Sequence, residues 1–333
     1  MSDTKPRRSV GVITSLVAFF LCLAGAYLLL INRTFVLDQL SVWQYKPTNE
    51  IASFVDRTGM NDTGKFYFYA SQPSLLEAAN FNKECDRKEE STAILGCYDG
   101  RYIYIYNILN KDIDGIREVT AVHEMLHAAY DRLDETKKRE VDTLLEAEYE
   151  KLKDNKDFSE RMAFYARTEP GERDNELHSV IGTEVTDISP ALESHYSQYF
   201  KSRSKVVGLH EKYASIFSSL QARADTLSAE LTQLGDKIEA ASAAYNKAIT
   251  QFNSDVSEFE RRAENDDFST QAEFDRGRNA LLARADQLEI SRQSINNDVD
   301  RYNILRDELA SIASQSEALN RSIDSSLAPA PSL

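Results

Sequence analysis

From Val206 onward, apolar residues recur at spacings of three and four along this chain. Val206, Leu209, Tyr213, Ile216 and Leu220 open the series, and Leu227, Leu231, Leu234, Ile238 and Ala241 continue it. Tyr245, Ile249, Phe252, Val256 and Phe259 extend it further. Such a stripe lies on one side of the chain only in a helix. Two successive four-residue steps, near Leu220 and near Tyr245, read as stutters that locally unwind a supercoil. The repeat breaks over the polar residues 264–278 and resumes with Leu281, Ala285, Leu288, Ile295, Val299, Tyr302, Leu309 and Ile312. Residues 204–327 therefore predict a coiled-coil hairpin of two antiparallel arms. At about 55 residues, each arm would be roughly 80 Å long. One long helix that oligomerises in parallel is the alternative. Charged residues interrupt the stripe throughout, which excludes a membrane-embedded role for it.

Residues 10–31 are uncharged and almost wholly apolar. That length crosses a hydrocarbon core of roughly 30 Å as a helix. Lys5, Arg7 and Arg8 precede the run and only Arg33 follows closely. This asymmetry predicts a cytoplasmic tail over residues 1–9, a transmembrane anchor over 10–31 and the remainder outside the cytoplasm. A cleaved signal peptide is the competing reading, because Ala24-Gly25-Ala26 has a small-x-small pattern. The apolar run continues past it from Tyr27 to Ile31, which favours the anchor. The expected location is the cell membrane, with a single pass and lipid as a partner.

The net charge of −15 argues against nucleic acid as a partner, because phosphates would be repelled. Of the three cysteines, Cys22 lies in the apolar run, while Cys85 and Cys97 flank a short polar loop. Outside the cytoplasm those two are expected to form a disulfide.

Between the anchor and the repeat lies a mixed segment. Residues 32–60 read as membrane-proximal and carry few signals. Residues 65–70 (KFYFYA) have strand composition. Residues 94–98, the Asp99-Gly100 turn and residues 101–108 (RYIYIYNI) read as a β-hairpin. A helix follows from about Ile116, with Asp114 as its expected N-cap and Ile116, Val119, Leu126, Ala129 and Leu133 on its apolar side. A second helix carries Val141, Leu144, Leu145, Tyr149 and Leu152. Residues 154–173 read as a polar connection. A short helix over 175–181 is expected to stop at Gly182, and Pro190 starts another.

The helix from Ile116 contains His123-Glu124-Met125-Leu126-His127. Helical spacing puts both imidazoles on one face, one turn apart, where they can hold one metal ion. Glu124 lies beside them as a general base. A catalytic zinc needs a third protein ligand and an open position for water, whose pKa the metal lowers. The compact solution is excluded: an H-E-x-x-H-x-x-G-x-x-H pattern would need glycine at Tyr130 and histidine at Leu133. Residue types alone leave Glu176, Glu184, His178 and His195 open as third ligands. His178, His195 and Tyr196 are available by type to stabilise a tetrahedral intermediate.

The motif, together with Asn175-Glu176-Leu177-His178-Ser179, resembles the gluzincin class of zinc metallopeptidases, whose third ligand is a glutamate on a downstream helix. The resemblance covers these two short segments. It implies His123, His127 and Glu176 as zinc ligands and Glu124 as catalytic base. The position four residues after Glu176, where that class often carries an aspartate that orients a histidine, holds Val180. Another group must do that work here. The resemblance also implies a small sheet whose edge strand lines the cleft and binds an extended peptide, with RYIYIYNI as that strand. The expected fold is α+β: a zincin-like domain over residues 61–203, a membrane helix before it and the coiled-coil hairpin after it, with a disordered tail at 328–333. The expected function is extracytoplasmic hydrolysis of a peptide or protein substrate. The rival is an inactive envelope scaffold or regulator acting through the coiled coil, by self-association or an envelope protein partner.

Overall fold

Helix α6 (Ile116–Asp131) is the element around which the first part of the chain is arranged. Ala121, Val122, Met125, Leu126 and Ala128 are completely buried in it, on faces that point in different directions. Such a helix needs cover on every side. In this computed structural model, which describes residues 8–85 and 93–327, that cover comes from a three-stranded sheet and from several helices. Helix α9 (Arg173–Glu184) is foremost among them.

The chain divides into two compact units, Met1–Ile216 with Asn320–Leu333, and Phe217–Leu319. In the first unit the elements before α6 are α1 (Arg8–Ile31), α2 (Arg33–Gln44), α3 (Asn49–Thr58), α4 (Asp62–Ala70), β1 (Ser74–Leu76), α5 (Ala78–Glu84), β2 (Gly96–Tyr98) and β3 (Ile103–Tyr106). After α6 come α7 (Glu135–Leu152), α8 (Lys156–Thr168), α9, α10 (Pro190–Tyr196) and the start of α11 (Ser204–Glu264). Within α1, Thr14–Ile31 is long and apolar enough to cross a membrane. Residues 1–7, with Lys5 and Arg7, and the tail 328–333 lie outside the described residues.

The hairpin is present, with strands shorter than its composition suggests. Gly96, Cys97 and Tyr98 pair antiparallel with Ile105, Tyr104 and Ile103. The strand within RYIYIYNI is not an edge strand. β1, which carries no signal in the sequence, adds to it in parallel, so the order is β1-β3-β2 and β3 is central. The edge on the α6 side is β2. A Cβ at Gly96 would lie 2.6 Å from Thr120 Cγ2 and 2.9 Å from Glu124 Oε1, so glycine permits this close approach of strand to helix.

Four further expectations are corrected. KFYFYA is helical, in α4. The Asn61 side chain accepts from the Thr63 and Gly64 amides and caps the helix. The aromatic rings then find partners on separate sides: Phe68 in the core, Tyr67 against Tyr199, Phe66 against Phe35 and Tyr69 against Tyr45. Tertiary packing thus overrides strand composition. Gly115, with φ +106°, caps α6 where Asp114 was expected, a conformation that favours glycine. Asp114 instead pairs with Arg57 and Lys212, each at 2.9 Å. The polar stretch 154–173 contains helix α8, capped by Asn155 and anchored by buried Phe158 and Met162. Gly182 does not stop α9. A Cβ there would lie 2.8 Å from Tyr196 Cε1, so this glycine serves packing.

In the second unit the long helices α11 and α12 (Gln271–Ile323) pair antiparallel. Arg223 reaches Glu308 at 2.6 Å, Lys237 reaches Asp298 at 2.7 Å, and Arg284 meets Asp255. Leu227, Leu305 and Ile312 are buried along the seam. The connection is shorter than the sequence break suggests, because α12 already begins at Gln271. Phe259, Phe268 and Phe274 pack together beside it, with centroids 5.1–5.2 Å apart.

Cys85 and Cys97 form the expected disulfide, closing a 12-residue separation between α5 and β2. Closing a loop of this size constrains the unfolded chain by about 3 kcal/mol. Replacing Cys97 with Ser is expected to lower the urea midpoint of the first unit by an amount equivalent to about 2–3 kcal/mol. Adding reductant to the unaltered protein is expected to reproduce that shift, and adding it to the variant to change nothing further.

Candidate metal centre

Helix α6 presents His123 and His127 one turn apart, with ring centroids 4.7 Å apart and planes at 80°. Helix α9 brings Glu176 across to both. Glu176 Oε2 lies 3.6 Å from His123 Nε2, and Oε1 lies 3.4 Å from His127 Nε2. The three donor atoms lie within 4.8 Å of one another, and the group can hold a metal ion. The two shorter separations are too long for good hydrogen bonds. The 3.4 Å separation is close to the roughly 3.3–3.4 Å between donors arranged tetrahedrally at about 2.0–2.1 Å from one ion, and the 3.6 Å separation, to the other carboxylate oxygen, is slightly longer.

The surroundings prepare these atoms for a cation. Asn175 Oδ1 lies 2.9 Å from His127 Nδ1, with Ser179 Oγ at 3.2 Å. The Asn175 amide nitrogen donates to Glu172 Oε2 at 3.3 Å, which turns its oxygen toward the imidazole. His127 therefore carries its proton on Nδ1 and leaves the Nε2 lone pair for a metal. Asn175 thus does the work that Val180 cannot do. Glu176 is 2 % exposed, and its Oε2 is buried with no hydrogen-bond partner. An orphaned buried carboxylate oxygen beside two imidazole lone pairs is the donor set a divalent cation satisfies.

Burial governs the protonation of the group. It pushes His123 down to about 3, with the Arg161 cation adding to the effect. It also lowers His127, against the pull of the Glu176 charge. Both rings are neutral at pH 7, as ligands must be. Glu124 is raised well above the usual carboxylate range by burial, and then by the charges of Glu176 and Glu169. Glu176 is raised by burial as well, with His127 opposing.

Tyr165 on α8 is the site residue that sequence reasoning missed. Its ring stacks on His123, with centroids 6.2 Å apart and planes at 22°. Burial, followed by the Glu176 charge, pushes its phenol well up, so it remains a proton-bearing donor. The available signal was the Phe158, Met162, Tyr165 spacing of four and three after an asparagine cap.

The rival ligands go elsewhere. His178 and His195 face each other, Nε2 to Nε2 at 2.9 Å, and the Tyr196 hydroxyl donates to the His178 carbonyl at 2.7 Å. Glu184 pairs with Arg161 and lies 3.5 Å from His210 Nε2. No family model, curated protein or solved structure matches the chain.

Two outcomes follow from this geometry. Asn175→Ala is expected to weaken metal binding about 10- to 100-fold by freeing the His127 ring, measured by competition with a chromophoric chelator. The second concerns His210, which burial and then Arg161 push down to about 4. The unfolded imidazole takes its proton near 6.5, so between those values the unfolded chain binds more protons. Stability present at neutral pH is therefore lost as pH falls from about 6.5 to 4, by up to about 3 kcal/mol. His210→Gln is expected to flatten that limb when urea midpoints of chelator-treated protein are compared at pH 7 and pH 5.

Proposed function

We propose that this chain is a membrane-anchored zinc metallopeptidase whose catalytic unit faces away from the cytoplasm. The observation that carries the reading is the convergence of His123, His127 and Glu176 on one point beside buried Glu124. Two imidazoles and one carboxylate, with a fourth position open, are the donor set of catalytic rather than structural zinc. Helix α1 supports the anchor, and the Cys85–Cys97 disulfide supports an oxidising compartment. The apolar seam between α11 and α12 supports reading that pair as a coiled coil, available for self-association or an envelope partner.

Zinc held there would lower the pKa of a bound water and polarise the scissile carbonyl. The remaining work falls to the chain. Glu124, which the charge of a bound cation would return to its carboxylate form, accepts a proton from the attacking water and delivers it to the leaving amine. The Tyr165 phenol donates to the oxygen on which negative charge develops. Asn175 holds the His127 ring in register. The outer edge of β2, beside Glu124, accepts an extended peptide by strand addition, the role first expected of RYIYIYNI.

Glu124→Gln in the full-length protein is expected to retain zinc stoichiometry and lose hydrolysis by about 10²–10⁴-fold. Glu176→Ala is expected to lose zinc. Full activity in the glutamine variant would remove the peptidase assignment. Zinc without turnover on a peptide library would transfer the function to the coiled coil as a scaffold.

A further inference from the structure

Helix α2 carries an apolar stripe that the described residues leave about half open or more. Leu37, Leu40 and Trp43 are spaced three apart and are 51 %, 42 % and 73 % exposed. Successive steps of three keep them on one side of the helix. The opposite side is seated on the catalytic unit, where Phe35, itself 59 % exposed, meets Phe66 of α4 with centroids 5.9 Å apart. Asp38 is buried there and makes a bidentate ion pair with Arg132, Nε and Nη2 each donating at 2.8 Å. The Arg132 guanidinium also donates to the Ala128 carbonyl at 2.6 Å. The α2 face turned outward is therefore fixed, and it is the apolar one.

We propose that the Leu37–Leu40–Trp43 face of α2 lies in the interfacial layer of the bilayer that α1 enters. The proposal rests on reading α1 as a membrane span. Continuity is the first support. The apolar window of α1 ends at Ile31 and α2 begins at Arg33, so the whole of α2 lies within about 18 Å of chain from the membrane helix. Asn32, with ψ 22°, breaks the helical backbone between them, so α2 need not continue the axis of α1.

Charge is the second support. In a chain of net charge −15, the one acidic residue of α2 is Asp38, and that carboxylate is buried against Arg132. The exposed ionisable group of α2 is Arg33, a cation at the end nearest the membrane helix. An apolar face bearing tryptophan, with a cation and no exposed acid, has the composition of a helix lying in the headgroup region. Scattered apolar residues need no explanation, but a one-sided stripe joined to a membrane span does. Arg132 follows α6 directly, so an α2 laid on the bilayer holds the metal-bearing helix at a set height above it.

Trp43 is the only tryptophan in the chain, so its fluorescence reports on this face alone. The full-length protein would be reconstituted in phosphatidylcholine–phosphatidylglycerol vesicles, with and without bromine on the acyl chains near the glycerol. Aqueous iodide serves as the opposing quencher. The expected result is emission at shorter wavelength than in the urea-unfolded chain, most of it lost to shallow bromines, and iodide quenching reduced several-fold. The double variant Leu37→Glu with Leu40→Glu is expected to restore iodide quenching while still floating with vesicles. Protein that floats but keeps Trp43 open to iodide and blind to bromine overturns the proposal and leaves the anchor intact. A Trp43 shielded from iodide yet blind to bromine is covered by a second copy or another protein, which also overturns it. Protein that does not float removes the anchor, and the proposal with it.

Discussion

Everything in the first unit follows from burying a helix that carries charge. Helix α6 is covered on all sides, yet it contains Glu118, Glu124 and two histidines. A buried ionisable group must find a partner or change its protonation state. Glu118 finds Arg57 on α3. His127 finds Asn175 and Ser179 on α9. Glu124 is pushed toward its neutral form. Glu176, brought in to cover the same face, retains one oxygen with no partner. Two of the elements packed on α6, α3 and α9, thus supply partners for its polar side chains, and the deficit is concentrated where the three donors meet.

Arg132 extends this logic outward. Its guanidinium joins Asp38 of α2 and the Tyr98 hydroxyl of β2, and it packs over the Tyr67 ring of α4. A pair this well buried adds little net stability over an apolar substitute, but removing one partner is strongly unfavourable, by about 3–5 kcal/mol. Its effect is therefore geometric. It ties α2, β2 and the end of α6 to one another.

The long-period features were legible in the sequence, and the short-range polar ones were not. The HEMLH helix, the Asp-Gly hairpin, the Pro190 helix and the heptad stripe each rest on local signals that agree with the final packing. Glu176 was legible only through resemblance to a known motif, because its role depends on α9 lying across α6. Tyr165 was hidden because α8 has too short an apolar stripe to stand out in a polar segment. KFYFYA misled because aromatic residues favour strands on average, whereas these four rings are satisfied on four sides of a helix. Gly182 misled for a related reason. Glycine ends helices, and glycine also lets two helices approach closely, and only the positions of Leu126 and Tyr196 distinguish the two.

The same unpaired oxygen links the metal centre to the stability of the fold. Burial raises both Glu124 and Glu176; the Glu176 charge adds to the cost at Glu124, and at Glu176 the opposing effect of His127 is the smaller one. A divalent cation supplies the missing charge only in the folded state, where α6 and α9 bring the donors together. Binding is then coupled to folding. An ion at a thousand times its dissociation constant would add about 4 kcal/mol to stability. That is comparable to the disulfide. A cation bound there would offset the electrostatic cost of burying Glu124 and Glu176 side by side.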